Sequence, residues 1–151
     1  MFKPHSLLAA FLVTASLAQA HTGHSAPPAT RPSVKAQGAF IAATPPGAPS
    51  GALYLQLSNT GKTPLTLLGG TTSIAAHVMP MKSVRDQKGL IGMQDVSRLI
   101  IPAGRTLRFR PGGDHLMLYG LKRAPKVGET VAVTLKFTSG TLRLNVPVKK
   151  F

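Results

Sequence analysis

Residues 112–120 read Gly-Gly-Asp-His-Leu-Met-Leu-Tyr-Gly, a run that alternates in the manner of a β-strand. His115 and Met117 are two residues apart, and side chains at positions i and i+2 of a strand point to the same face of a sheet. The run therefore presents an imidazole and a thioether side by side. Methionine is also a common filler of hydrophobic cores, so the role of this pair depends on the rest of the chain.

From Val34 onward the chain consists of short apolar or alternating runs separated by Gly, Pro and Asn. Residues 51–58 place alternate leucines on one face, and Asn59-Thr60-Gly61-Lys62 after them is typical of a hairpin turn. No run keeps a helical period with capping residues. The pattern predicts an all-β sandwich or barrel with Greek-key connections. Strands are expected at residues 36–43, 51–58, 65–68, 74–78, 90–96, 99–102, 106–109, 115–118, 131–137 and 141–148.

The first twenty residues have the features of a cleaved signal peptide. Lys3 precedes an apolar run from Leu7 to Leu17, and Ala18-Gln19-Ala20 is an Ala-x-Ala cleavage site. We therefore expect a signal peptide at 1–20, a flexible His-containing tail at 21–34 and one β-domain at 35–151. No later run is long enough to span a bilayer. We expect an exported protein, periplasmic or otherwise extracytoplasmic, without a transmembrane segment in the mature chain.

The charge of the chain is strongly positive, with 18 Lys and Arg against 4 Asp and Glu, a formal net charge of +14. Such a surface favours acidic partners. The basic residues are nevertheless scattered, Trp is absent, and no stacking platform or recognition helix is visible. We therefore expect docking on an acidic protein surface and no binding to nucleic acid.

Methionines and histidines are clustered in one part of the chain. Every methionine after Met1 falls between positions 77 and 117, a segment that also begins with a histidine and contains a second one near its end. The set is Met79, Met81, Met93 and Met117, with His77 and His115. Thioethers are soft ligands that select Cu(I), and an imidazole adds one stronger nitrogen donor. The chain has no Cys, which excludes disulfides, thiolate ligands and a lipid anchor on Cys. The cluster predicts a Cu(I) site without an anionic ligand.

The predicted N-terminus offers a second set of donors. After cleavage, His21 would present its α-amine and its imidazole, and His24 follows three residues later. Nitrogen donors suit Cu(II). The tail therefore predicts a Cu(II) site separate from the Cu(I) cluster, with a plain mobile linker as the alternative.

Two other classes of protein compete with a copper carrier. An N-terminal His also begins the copper site of oxidative polysaccharide-cleaving enzymes, but residues 25–30 look too flexible to fix a second His beside it. The four acidic residues lie far apart in sequence and form no catalytic pair, so we expect no enzyme. The remaining alternative is a structural or adhesive β-domain in which Met and His only pack. A blue copper site is excluded because it needs a Cys thiolate.

The spacing of the cluster resembles a family signature. Positions 94–114 separate Met93 from His115, and His115-Leu116-Met117 completes a His-x-Met. This is similar to the periplasmic PCu(A)C-type copper chaperones, whose signature is [H/M]-x10-M-x21-H-x-M. Residues 43–48, 51–55, 59–61, 101–104 and 111–118 also resemble that family, so the likeness covers roughly 34–148.

The resemblance implies a cupredoxin-like β-barrel that carries Cu(I) to the binuclear copper centre of cytochrome c oxidase, whose copper-bearing subunit or another copper chaperone would be the partner. It implies Met93, His115 and Met117 as ligands. The first ligand of the signature falls on Lys82, which cannot bind a metal while charged. Met81, one residue earlier, is the expected substitute if the turn at 85–89 carries an extra residue, and Met79 and His77 are the alternatives.

Overall fold

A computed structural model describes residues 31–151, and these residues form ten strands and no helix. The predicted signal peptide and the tail histidines His21 and His24 lie outside the described residues. Within 31–151 no helix is long and apolar enough to cross a membrane. The strands are β1 (Val34–Ala42), β2 (Ser50–Asn59), β3 (Leu65–Thr72), β4 (Ala75–Arg85), β5 (Ile91–Asp95), β6 (Leu99–Ile101), β7 (Thr106–Phe109), β8 (His115–Leu121), β9 (Thr130–Phe137) and β10 (Gly140–Lys149).

The strands close into a barrel. The hydrogen-bonded order is β5-β4-β8-β2-β1-β10-β9-β3-β6, and β7 pairs with β2. A further pairing between β4 and β3 closes the strands from β4 to β3 into a ring. The described strand pairs are antiparallel apart from β1 with β10, which is parallel. Full closure leaves β5 and β6 as extensions outside the ring. The predicted all-β fold and the barrel are both confirmed.

Alternate side chains of each ring strand fill the barrel. Leu53 of β2 is paired directly with Leu116 of β8, and both are completely buried. Val78 and Leu118 make the same kind of pair between β4 and β8. Because side chains alternate along a strand, the residues between these core positions on β4 and β8 face outward. The methionines and histidines of the cluster that lie on these two strands occupy such outward positions.

The predicted hairpin at Asn59-Thr60-Gly61-Lys62 is wrong, because β2 and β3 are not neighbours in the barrel. Asn59 is almost fully buried and its amide organises a crossing loop instead. Its Nδ2 donates to the carbonyls of Thr63 (2.8 Å) and Ile101 (3.0 Å), and its Oδ1 accepts from the N–H of Gly61 (2.9 Å). A turn-forming sequence therefore serves here to connect strands on different sides of the barrel.

Several strands extend further than the sequence predicted, and β1 and β4 are two of them. β1 begins at Val34, and just before it Pro32 is buried while the carbonyl of Ser33 accepts the N–H of Thr60 at 2.8 Å. The last residues assigned to the tail therefore belong to the fold. β4 runs to Arg85 rather than ending at Val78, and this longer strand carries both Met79 and Met81.

Candidate metal centre

The outer face of β4 and β8 brings the predicted ligands together. Met81 lies directly opposite His115, and Met79 lies directly opposite Met117, in a register without a break. Directly opposite residues of an antiparallel pair share a face, with Cβ atoms about 4.5–5.5 Å apart. The imidazole of His115 is therefore next to the Met81 side chain across the sheet and next to Met117 along its own strand.

Pro80 stands between Met79 and Met81 without disturbing the strand. In a strand the N and O atoms of one residue point to the same side, and the oxygen of Pro80 accepts the N–H of Val96 at 3.0 Å. On that side β4 passes from pairing with β3 to pairing with β5. The nitrogen of Pro80, which carries no hydrogen, lies where β4 changes its neighbour from β3 to β5. The loss of a ladder hydrogen bond is tolerated there. Met79 and Met81 consequently share one face.

The β4–β5 hairpin supplies Met93. Met93 is opposite Ser83 and Asp95 is opposite Met81, so Met93 is a diagonal neighbour of Met81 on the same face. The hairpin turn is held by Asp86, whose Oδ1 accepts the N–H groups of Lys88 (2.9 Å) and Leu90 (2.8 Å). Met93 is 42% exposed, whereas Met81 is 7% exposed. The structure thus places Met93 at the solvent side of the group.

The loop between β7 and β8 positions His115. Both strands pair with the same edge of β2, where Leu55 is opposite Phe109 and Leu53 is opposite Leu116. A short step along β2 is therefore matched by a longer stretch of chain, and residues 110–114 bulge out of the sheet. Gly112 has a positive φ of 75° at the turn, a conformation that glycine adopts without strain. The loop is tied to β4 because Asp114 Oδ1 accepts the N–H of Ser83 at 2.8 Å.

The same loop selects the tautomer of the neutral His115 imidazole. His115 Nδ1 lies 3.2 Å from the carbonyl oxygen of Gly113. A carbonyl oxygen only accepts, so Nδ1 is the donor and carries the hydrogen. In the neutral ring this leaves the lone pair of Nε2 free to bind a metal, the arrangement that metal-binding histidines commonly have.

A group of aromatic side chains lies beside His115 on the outer face. His115 is only 9% exposed although it points away from the barrel interior. The ring of Tyr54 lies 6.1 Å from the imidazole, and Tyr54 in turn stacks on Phe151 at 5.9 Å and contacts Phe40 at 5.2 Å. Burial raises the pKa of the Tyr54 phenol above its ordinary value. This cover limits the access of water to the imidazole.

Tyr119 and Asp95 are two residues that the sequence analysis did not single out. The Tyr119 hydroxyl lies 2.6 Å from Asp95 Oδ1 and 3.4 Å from Met81 Sδ. A hydroxyl has one hydrogen, and the nearer, charged carboxylate is the stronger acceptor, so the hydrogen bond goes to Asp95 and the phenol oxygen rests against the sulfur. This hydrogen bond raises the pKa of Tyr119, with smaller contributions from burial and from the charge of Asp95. The alternation His115-x-Met117-x-Tyr119 is the signal that places Tyr119 on this face.

The two alternative first ligands occupy different positions. His77 is exposed and lies opposite Tyr119, four residues along β4 from Met81, so the structure does not bring it to His115. Met79 is half-buried, and its Sδ leans towards β3, 3.7 Å from the point where a Cβ on Gly69 would stand. Within residues 31–151, no three His, Cys, Asp or Glu side chains form a metal-binding group. A metal on this face therefore depends on the thioethers.

Comparison with known proteins places the chain in a family. The profile of the LpqE-like family, described as putative lipoprotein LpqE-like, matches residues 34–148. The putative lipoprotein Lxx21020 of Leifsonia xyli subsp. xyli (strain CTCB07) is 39% identical over 102 residues, covering 66% of this chain and 61% of that protein. The chain thus spans about three fifths of the length of this curated relative.

Solved structures agree with this assignment. CuI-DR1885 from Deinococcus radiodurans is 41% identical, with a TM-score of 0.61 over 85% of this chain and 83% of that one. Apo-DR1885 is 39% identical, with a TM-score of 0.60 over 99% and 97%. The copper-bound PCuAC domain from PmoF2 is 19% identical, with a TM-score of 0.66 over 79% and 94%, and shares the cupredoxin-like fold. The chain therefore belongs to the LpqE-like family, the family of the PCuAC-type copper chaperones.

Proposed function

We propose that this protein is an exported, non-catalytic copper chaperone that binds Cu(I) through Met81, Met93, His115 and Met117. The observation that carries the proposal is the pairing of Met81 with His115 on the outer face, with Met117 beside them and Nε2 of the imidazole free. Three thioethers and one imidazole are a soft, neutral donor set, which favours Cu(I) over divalent ions. CuI-DR1885, the 41% identical relative, is named for the same ion.

The arrangement suits a metal that is carried and then released. Met81 and His115 are buried and their strands are fixed by the closed barrel, so these donors keep their places in the absence of metal. Met93 lies on β5, a strand that is exposed along its whole length. A donor from an acceptor protein can reach the copper at Met93 while the buried ligands still hold it.

The acceptor that we propose is the binuclear copper centre of cytochrome c oxidase, reached directly or through another copper chaperone. A polar groove of about 380 Å³ next to the His115 loop is lined by two arginines, Arg108 and Arg110, and by one acidic residue, Asp114, whose carboxylate is bound to the N–H of Ser83. The one ion pair found among residues 31–151 is Arg123 with Glu129, so these two guanidinium groups are not neutralised by a salt bridge. An acidic rim on the acceptor complements this groove, and copper transfer should slow as the salt concentration rises. Transfer that is insensitive to salt would remove the docking part of the proposal.

Export and the tail site complete the proposal. Residues 1–20 have the pattern of a signal peptide, and the related family consists of proteins described as putative lipoproteins. We propose an extracytoplasmic location, such as the periplasm.

We also propose that His21 and His24 bind Cu(II) separately from the Cu(I) site. Deletion of residues 21–26 should abolish Cu(II) binding and leave Cu(I) binding intact, and unchanged Cu(II) binding would contradict the tail site.

The deciding experiment is an anaerobic Cu(I) titration followed by X-ray absorption of the product. We expect a tightly bound Cu(I) with sulfur-dominated scattering and one imidazole. Met93→Leu should remove one sulfur and lower the affinity with the fold intact, because this exchange nearly conserves volume and usually costs less than about 1.5 kcal/mol. Two imidazoles in the wild-type spectrum would indicate that His77, and not Met81, is the first ligand. Cu(I) binding equal to that of a Met93→Leu, His115→Ala control would leave a structural or adhesive β-domain.

A further inference from the structure

The outer face of β4 and β8 carries a second His-x-Met that the proposed site does not use. His77-Val78-Met79 on β4 runs antiparallel to His115-Leu116-Met117 on β8. Met79 and Met117 are directly opposite each other at the centre of this face, with the Met81–His115 pair on one side and the His77–Tyr119 pair on the other. Imidazole and thioether donors therefore continue beyond the four proposed ligands.

The packing of β4 keeps this second pair on the outer face. Val78, between the two donors, is 1% exposed and points into the barrel. Because the register of β4 with β8 is continuous, His77 and Met79 must both point outward. His77 is exposed and Met79 half-buried, so neither donor has to leave the core to bind a metal.

Met79 has the freedom that a transient ligand needs. Its sulfur lies towards Gly69 of β3, at an ordinary van der Waals distance of 3.7 Å from the point where a Cβ would stand, so it is not tightly enclosed on this side. The methionine side chain has three rotatable bonds, and a rotation turns the sulfur from β3 towards His77 and Met117. Tyr119 extends along this face, since its backbone is opposite His77 and its hydroxyl is near Met81.

We propose that His77 and Met79 form a second, weaker Cu(I) position, with Met117 lying between it and the first. The inference rests on the proposed function, because it takes Met81, Met93, His115 and Met117 as the stronger site. Copper that moves from the first position to the second leaves Met81, Met93 and His115, binds Met79 and His77, and can keep Met117 throughout. The oxidation state stays Cu(I), so the movement needs no oxidant or reductant. Because the second position offers fewer donors on a more exposed surface, we expect it to bind Cu(I) about tenfold more weakly, a difference of about 1.4 kcal/mol.

The test is an anaerobic titration of the purified protein with Cu(I) supplied as its acetonitrile complex, using bicinchoninate as the competing chelator. NMR signals of the methionine methyl groups report which sulfur binds at each step. The first equivalent should shift the signals of Met81, Met93 and Met117. The second should shift the Met79 methyl together with the His77 ring. A second equivalent taken by the N-terminal tail leaves Met79 unmoved and overturns the inference.

A pair of reciprocal variants separates the two sites. His77→Ala with Met79→Leu should retain the first equivalent and lose the second, whereas Met81→Leu with His115→Ala should keep only the weaker one. Signal dispersion in the NMR spectrum checks that each variant is folded. A shift of Met79 during the first equivalent, or a second equivalent that survives in the His77/Met79 variant, overturns the second site and leaves the proposed function standing. The absence of Cu(I) binding in the wild-type protein refutes both.

Discussion

Removal of the Asp114 carboxylate tests whether the loop at 110–114 sets the position of His115. Asp114 Oδ1 accepts the N–H of Ser83 on β4 at 2.8 Å, and the Asp114 carbonyl accepts the N–H of Arg110 at 2.8 Å. The next residue, His115, is held by the carbonyl of Gly113. In Asp114→Ala the loop loses its side-chain attachment to the strand that carries Met81.

The size of the effect follows from the burial of this contact. A hydrogen bond to a charged group contributes about 1.5–3 kcal/mol. Ser83 and Asp114 are only half-buried, so water replaces part of that bond and the free energy of unfolding should fall by about 1–2 kcal/mol. For a domain of this size that lowers Tm by about 4–10 °C. Loss of an outer contact that orients a ligand typically weakens metal binding about 10–100-fold, so we expect the Cu(I) affinity to fall about tenfold.

Thermal unfolding and bicinchoninate competition measure the two effects separately. Asp114→Asn keeps an oxygen acceptor for Ser83 and should recover most of the Cu(I) affinity. Glu129→Ala is the control, because its carboxylate also accepts a backbone N–H, from Lys126 at 2.8 Å, and pairs with Arg123, on the β8–β9 connection rather than on the loop at 110–114. It should lower Tm without changing Cu(I) affinity. If Asp114→Ala lowers Tm and binds Cu(I) as tightly as the wild type, the loop does not position His115.

Three further predictions concern other parts of the fold. Tyr119→Phe removes the hydroxyl that Asp95 holds against Met81, so peroxide should oxidise Met81 several-fold faster than in the wild type, as measured by mass spectrometry. Tyr54→Phe serves as the control. Equal oxidation rates in Tyr119→Phe and the wild type would contradict protection of Met81 by this hydroxyl. Asn59→Ala removes three hydrogen bonds from a buried amide and should cost about 2–4 kcal/mol in urea unfolding; a cost below about 1 kcal/mol would contradict its role in the loop. The hydrogen bond from Arg123 lowers the pKa of Glu129 below its ordinary value of 4.5, and the hydrogen bond from the Lys126 N–H contributes less. The ionised carboxylate therefore stabilises the fold above pH 4.5. This contribution is lost as the pH falls through the pKa of the folded state. The Tm advantage of the wild type over Glu129→Gln should therefore shrink below about pH 4.5, and an advantage that is constant with pH would contradict the ion pair.

Local features of the structure were largely predictable because they depend on neighbouring residues. Alternation alone placed His115 and Met117 on one face, and Thr106–Phe109 is a strand with the predicted bounds. In each case the period of two along a strand carries the information.

Pairings between distant strands were not predictable in the same way. The partner of Met81 is His115, far along the chain, and no local signal states that β4 lies beside β8. The same limit explains the error at Asn59, where a turn sequence of hairpin type leads to a strand on another side of the barrel. The contact of Tyr119 with Asp95 depends on β8, β4 and β5 being consecutive in the sheet. These contacts depend on which strands become neighbours when the barrel closes, and closure depends on the whole chain and not on any one segment.

The different burial of the ligands bears on how copper would leave the proposed site. Met81 and His115 are largely buried, with the Tyr119 hydroxyl against the Met81 sulfur and the Tyr54 ring beside the imidazole, so an acceptor reaches them less readily than Met93. Met93 is 42% exposed on β5, which pairs only with β4 among the described strands. Since a soft ion can change its ligands one at a time, the first ligand to be replaced should be the one that solvent and partner can reach. We therefore expect transfer to begin at Met93, with the buried pair determining how tightly copper is held until the acceptor has supplied its own donor.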